Sequence, residues 1–384
     1  MDSADSIPDA AWSLLDSLAA IPLWQWTLAA VLSIFGVFAL LYVAFALFAP
    51  LPRPPRTSEK QFVTVLPDGK VSTPEPLPCW YDHFTAARET ARRGSGGGKE
   101  AYRIDEGEVF MSVVVPAYNE EKRLTGMLEE AVEYLQKQYG TRSPAGKGTG
   151  NGHVRAHERP RAGWEILVVS DGSTDRTVET ALHFAKTQSI PTGSIRVVRL
   201  EENRGKGGAV THGMRHARGS YVVFADADGA SNFDDLGKLV KACEDAEDKQ
   251  GRAIGIGSRA HMVGSDAVIK RSLLRNTLMR AFHLLIRTLT TTETGQIKDT
   301  QCGFKLFTRP ALPYIVPYMH SEGWIFDVEM LMLAESSHIP MVEVAIGWHE
   351  VSGSKLNVIK DSIGMAIGLA MLRVGWGLGI YRLD

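Results

Sequence analysis

At 384 residues, with 44% hydrophobic and 22% charged positions, the chain is long enough to bury a sizeable core and too apolar to be chiefly disordered. Forty-two Lys and Arg against 44 Asp and Glu give a formal net charge of -2, so no global basic field marks a nucleic-acid binder and an anionic ligand must be held locally. Cys79, Cys243 and Cys302 are odd in number and lack CxxC spacing, which argues against a disulfide framework and a zinc site and points to a reducing compartment.

No charged residue stands between Asp16 and Arg53, and residues 24–49 form an apolar run long enough to cross hydrocarbon with some tilt. The competing reading, a secretory signal, lacks its basic leader: Asp2, Asp5, Asp9 and Asp16 precede the run without a Lys or Arg. Arg53, Arg56 and Lys60 follow it, so the positive-inside bias sets the large C-terminal part in the cytoplasm and the short N-terminus in the lumen.

Residues 50–78 carry eight prolines and suggest an extended linker, or a small hairpin around Pro67-Asp68-Gly69. Residues 92–99 and 139–161, rich in Gly, Ser and basic side chains without apolar periodicity, are expected as surface loops. Apolar, β-rich runs at 110–115, 165–169, 195–200, 221–225 and 253–256 alternate with helical periodicity or loops. That succession predicts an α/β fold, a mostly parallel sheet with helices on both faces, whose ligand sits at the carboxyl ends of the strands.

The polar clusters fall at those ends. The first strand runs into Pro116-Ala117-Tyr118-Asn119-Glu120 and the second into Asp171-Gly172-Ser173-Thr174-Asp175; Asp171 suits a base or ribose, while Ser173 or Asp175 equally suits a helix cap. The third precedes Asn203-Arg204-Gly205-Lys206-Gly207-Gly208, a basic turn that suits a phosphate, departs from Walker spacing, and could serve chain reversal alone. The fourth ends in Asp226-Ala227-Asp228-Gly229. Two carboxylates after a buried strand are costly without a cation, and hard oxygen ligands point to Mg2+ or Mn2+ completed by diphosphate oxygens; the bland reading is a solvated turn.

Further on, Lys270, Arg271, Arg275, Arg280 and Arg287 interleave with Leu, Met, Phe and Ile between residues 268 and 289. This is the pattern of a basic amphipathic helix at a membrane surface, with a helix packed on the core as its rival. Arg259, Arg271, Arg275 and Lys355 are the candidates for an acceptor phosphate, because arginine's planar fork matches phosphate oxygens. Residues 358–380 are apolar but broken by Lys360, Asp361 and Arg373, which favours an interfacial helix over a second span.

The PAYNE loop, DGSTD, the NRGKG turn and the Asp226/Asp228 pair, in this order, resemble family 2 glycosyltransferases of the GT-A fold. The later DTQCGFKLF at 299–307, WIFDVE at 324–329 and Gly353-Ser354-Lys355 narrow the resemblance to the dolichyl-phosphate β-glucosyltransferases. The resemblance implies transfer of glucose from UDP-glucose to dolichyl phosphate with inversion, as a lipid-linked donor for N-glycan precursors, at the endoplasmic reticulum membrane. It implies a UDP-sugar site of Pro116, Ala117, Tyr118, Glu120, Asp171 and Asp226, with Asp228 as principal metal ligand and Lys206 on the nucleotide side. Asp299 stands where relatives with hydroxyl acceptors carry a base, which makes it, with Asp228 and Arg259, a catalytic candidate. The rival readings are a dolichyl-phosphate mannosyltransferase using GDP-mannose and a tethered nucleotide-sugar sensor without turnover; a homo-oligomer is left open. The expected organisation is a lumenal 1–22, a transmembrane 23–51, a linker 52–108, a GT-A core 109–260, an acceptor half 261–355 and a membrane-associated 356–384.

Overall fold

The computed structural model describes residues 20–93, 104–140, 160, 162–262, 288–290, 292–351, 353 and 358–382. They fall into two compact units, one holding residues up to Ala49 with Val374–Arg382, the other Pro50–Arg373. In the first unit, helix α1 (Leu23–Phe48) starts after Pro22 and stops at Ala49, where Pro50 and Pro52 cannot extend the hydrogen-bond ladder. Its apolar side chains are exposed along its length, and among the described residues it is the one helix long and apolar enough to cross a membrane.

The second unit is built on a nine-stranded sheet of order β2-β1-β5-β4-β3-β6-β8-β7-β9. Its centre is the four expected strands, β3 (Val109–Ala117), β4 (Trp164–Asp171), β5 (Ile195–Leu200) and β6 (Gly219–Ala225), paired in parallel. The expected fifth strand, β7 (Ile254–Ser258), is separated from β6 by β8 (Phe304–Thr308), which is antiparallel to both; β9 (Met341–Ala345) runs parallel to β7. The sheet is therefore mixed. Of the two readings of the proline-rich stretch, the hairpin holds: β1 (Gln61–Val63) pairs antiparallel to β5, β2 (Glu75–Pro76) pairs antiparallel to β1 at the sheet edge, and a Val65–Val71 bridge flanks the turn at Gly69. Prolines are tolerated there because an edge strand needs only one ladder of N–H donors.

Alternation along β3 assigns its two faces. Met111, Val113 and Val115 share a core with Leu124, Leu128, Ala131 and Leu135 of α3 (Leu124–Tyr139) and with Val178 and Ala181 of α4 (Thr177–Thr187). On the other face α5 (Lys206–Arg215) lies so close that a Cβ at Gly213 would sit 2.4 Å from Val114 Cγ1. The connections from β3 to β4 to β5 step one way, and the return through α5 places β6 on the opposite side of β3. The loops after β3 and β6 thus diverge at a topological switch point, where open α/β sheets bind ligands.

The remaining helices in chain order are α2 (Trp80–Arg93), α6 (Leu236–Ala246), the short α7 (Thr292–Gln296), α8 (Phe326–Ser336) and α9 (Val358–Gly377), the last of which runs into the first unit from Val374. Within the described part of α9, Met365, Leu369 and Leu372 are buried while Ile363 and Ile367 are exposed.

Candidate active site

A cleft of about 800 Å³ opens at the switch point, lined by Asn119, Glu120 and Arg123 after β3 and by Asp228 and Gly229 after β6, with Gly353 on its rim. β6 delivers its carboxylates there because seven consecutive buried residues, Gly219–Ala225, end where the chain turns polar. Asp226 receives the ammonium of Lys206 at 2.6 Å, and Asp228 lies 3.5 Å from Nη1 of Arg123. Burial, and then the neighbouring Asp226, push the Asp228 carboxyl above its ordinary range. Burial of Lys206 alone would lower its pKa, but Asp226 and Asp327 outweigh it and keep the side chain a cation.

The nucleotide candidates converge on the same sheet end. Pro116 and Ala117 close β3, and the following Tyr118 is exposed. Asn119 takes the left-handed region at φ 54, and its Oδ1 accepts from the N–H of Thr174, tying the PAYNE and DGSTD loops together. Glu120 turns its carboxylate onto Arg123, which donates Nε at 2.7 Å and Nη2 at 2.6 Å. Asp171 accepts the backbone N–H groups of Arg204 and Gly205 at 2.7 and 2.9 Å, and burial pushes its carboxyl up to about 6 against those donors. Asp175 caps: it accepts the Thr177 N–H at 2.9 Å and the Glu121 N–H at 3.1 Å.

Arg259 and Asp299, at the end of β7, are partners of each other. Nε and Nη2 of Arg259 reach the two carboxylate oxygens at 2.7 and 2.8 Å, and the Arg259 N–H adds a third bond at 2.8 Å. Despite burial, Arg259 holds the Asp299 carboxyl below the usual range. Asp327 is buried against Lys305 at 2.5 Å, and Glu329 accepts the N–H groups of His320 and Ser321. Arg271, Arg275 and Lys355, with the basic amphipathic stretch, lie outside the described residues.

Three features have roles that the motifs did not assign. Gly303 packs beneath the metal candidates: its carbonyl accepts the Asp226 N–H, and a Cβ there would lie 2.1 Å from Asp226 Oδ2. The glycines of the basic turn meet a similar demand, since side chains at Gly205 or Gly207 would collide with residues 321–326. Arg123 sits at the start of α3, where a basic residue ordinarily signals only a solvated helix end; its side chain is instead 15% exposed between Glu120 and Asp228.

The donor set at Asp226 and Asp228 fits a hard divalent ion. Two carboxylate oxygens on one turn are what Mg2+ or Mn2+ takes from a protein when substrate phosphates complete its shell. Among the described residues no group of three or more His, Cys, Asp or Glu is placed to hold a metal by itself.

The family model of glycosyl transferase family 2 matches residues 112–312. A dolichyl-phosphate β-glucosyltransferase of Saccharomyces cerevisiae is 41% identical over 349 residues, covering 89% of this chain and 91% of its own. One from Homo sapiens is 40% identical over 275 residues, 71% of this chain and 78% of its own. Among solved structures, glucosyl-3-phosphoglycerate synthase from Mycobacterium tuberculosis aligns over 70% of this chain and 80% of its own at 18% identity and a TM-score of 0.46, too distant to argue from. The chain belongs to the dolichyl-phosphate β-glucosyltransferases of glycosyl transferase family 2, enzymes that transfer glucose to dolichyl phosphate.

Proposed function

We propose that the glucose comes from UDP-glucose, bound at the switch point with a divalent cation, Mg2+ or Mn2+, and that it is transferred with inversion. The observation that carries this reading is the carboxylate pair Asp226 and Asp228 at the end of β6, with the Lys206 ammonium 2.6 Å from Asp226. Asp228, assisted by Asp226, would hold the cation, which when bound neutralises charge on the departing diphosphate. Lys206 adds a fixed positive charge on the same side. Pro116, Ala117, Tyr118, Glu120 and Asp171 surround the nucleotide, Asp171 acting through the loop it holds.

The acceptor phosphate attacks C1 of glucose as the C1–O bond to the β-phosphate breaks, so UDP leaves and the α-linkage becomes β. A phosphate is already ionised near neutral pH, so no strong general base is required. Asp299, ionised and clamped to Arg259, serves in this reading to orient that guanidinium. Arg259, with Arg271, Arg275 and Lys355, attracts the acceptor phosphate. The helix α1 anchors the chain in the endoplasmic reticulum membrane with the catalytic unit facing the cytosol, and Ile363 and Ile367 of α9 rest at the bilayer surface.

The test is product analysis with the full chain in detergent, dolichyl phosphate and either radiolabelled UDP-glucose or GDP-mannose. Dolichyl β-glucosyl phosphate formed from UDP-glucose, dependent on a divalent cation, is the expected outcome. An α-anomer, or transfer from GDP-mannose alone, overturns the reading.

A further inference from the structure

One guanidinium nitrogen of Arg123 makes no hydrogen bond and has only a long ion pair with Asp228. Nε and Nη2 are taken by the two oxygens of Glu120, which fixes the plane of the group and its direction. The remaining nitrogen, Nη1, is buried, has no hydrogen-bond partner, and stands 3.5 Å from Asp228 Oδ2. A buried N–H without an acceptor is unfavourable unless a ligand supplies one. The residue lines the cleft at the switch point.

The lining of that cleft includes Asp228 but not Asp171 or Lys206. The cleft therefore reaches Asp228 without reaching the basic turn. An in-line displacement needs its nucleophile on the face of the anomeric carbon opposite the leaving diphosphate, so two phosphate groups must be held on different sides of one reaction centre. Lys206 beside Asp226 accounts for one side. We propose that Arg123 is a catalytic residue for the other: its Nη1–H, which makes no hydrogen bond within the protein, donates to a phosphate oxygen of the lipid acceptor, with Glu120 as the residue that positions it. The fixed charge also offsets repulsion between the entering phosphate and the acidic side chains of the cleft, Glu121, Glu130 and Asp175 among them. This rests on placing the reaction at Asp226 and Asp228.

The test uses the full chain in detergent, with Arg123→Gln, Arg123→Lys and Glu120→Gln beside the wild type. Steady-state kinetics vary dolichyl phosphate at saturating UDP-glucose. Calorimetry with UDP, and co-sedimentation with dolichyl phosphate micelles, read binding without turnover. Arg123→Gln is expected to raise the KM for dolichyl phosphate at least about tenfold, the loss of one charge-assisted contact, and to weaken micelle binding while UDP affinity stays within about twofold. Arg123→Lys, which keeps the charge without the fork and guards against misfolding of the Gln variant, should fall between them. Glu120→Gln should raise the same KM less. Weakened UDP binding with lipid kinetics unchanged makes Arg123 a donor contact and overturns the proposal; a lower melting temperature with both affinities unchanged overturns it too. Full turnover by Asp228→Asn would instead remove the premise about where the reaction occurs, whatever the Arg123 variants do.

Discussion

Arg204 donates from Nη2 to Oε2 of Glu59 at 2.5 Å across 145 residues of sequence, with both side chains buried. The pair joins the basic turn after β5 to the segment that follows α1 in the chain. Arg204 also donates to the carbonyls of Arg53 and Pro54, and its own N–H holds Asp171. Glu59 in turn accepts the N–H groups of Arg56 and Glu201. One buried carboxylate thus organises the chain that follows α1 and the turn that presents Lys206.

Removing it should be costly. Glu59→Ala strands the Arg204 guanidinium in the interior and is expected to destabilise the second unit by about 3–5 kcal/mol, measured by chemical denaturation. Glu59→Gln keeps shape and some acceptors, so it should fold while raising the KM for the nucleotide sugar several-fold with little change in kcat. An unchanged donor KM in Glu59→Gln would separate this pair from the nucleotide turn.

Asp228→Asn is expected to lower kcat by at least about 100-fold, because a charge-assisted contact made in the transition state is lost. Wild-type activity should vanish in excess EDTA and return with Mg2+ or Mn2+. A folded Asp228→Asn enzyme with full turnover in EDTA would refute the role of the pair.

The Asp171 carboxyl, pushed by burial to about 6, predicts a pH dependence. Because the folded value lies above the unfolded one, the folded state favours the protonated form: that stabilisation is fully present below about pH 4 and is lost as pH rises through about 6. Activity should run the opposite way. As pH falls through about 6, Asp171 loses acceptor strength toward the N–H groups of Arg204 and Gly205, and the nucleotide turn loosens. The donor KM is therefore expected to rise below about pH 6, and Asp171→Asn to show a raised, pH-flat KM. His212 and His216, both buried and shifted down, the latter to about 4, do not titrate in this window.

The charge asymmetry around α1 predicts a topology that protease protection can check. A tag before Met1 should survive protease in sealed microsomes while one after Asp384 is digested. The reverse pattern would cut the catalytic unit off from cytosolic nucleotide sugar.

Strands β3 to β7 were legible because each is a short apolar run closed by a polar cluster, and the cluster at 226–228 pointed to the end of the sheet where the cleft opens. β8 was hidden by Lys305, a charge in the middle of a buried strand that makes sense only once Asp327 is seen beside it. β1 and β2 were legible only as a small hairpin, because β1 is three residues long and β2 carries a proline that its edge position tolerates. Arg123 and Gly303 were hidden for a different reason. Their roles depend on what lies across the sheet end, Asp228 for one and Asp226 for the other, and neither partner is near in sequence.

Lys305 and Asp327 allow the most discriminating stability test. The ammonium reaches Asp327 Oδ1 at 2.5 Å and the Cys302 carbonyl at 2.7 Å, and both side chains are almost wholly buried. Burial raises the Asp327 carboxyl, with Lys305 and Lys206 working against it. Lys305→Met leaves a buried carboxylate without its main partner and should destabilise the protein by about 3–5 kcal/mol; Lys305→Met with Asp327→Leu removes both charges and should regain most of that loss. Nucleotide affinity is expected to separate from stability, because Asp327 also helps keep Lys206 charged. The double variant should therefore fold well yet bind UDP more weakly than wild type by calorimetry. If it recovers both stability and UDP affinity, Asp327 is a packing residue and the charge on Lys206 is maintained without it, by Asp226 and Asp228.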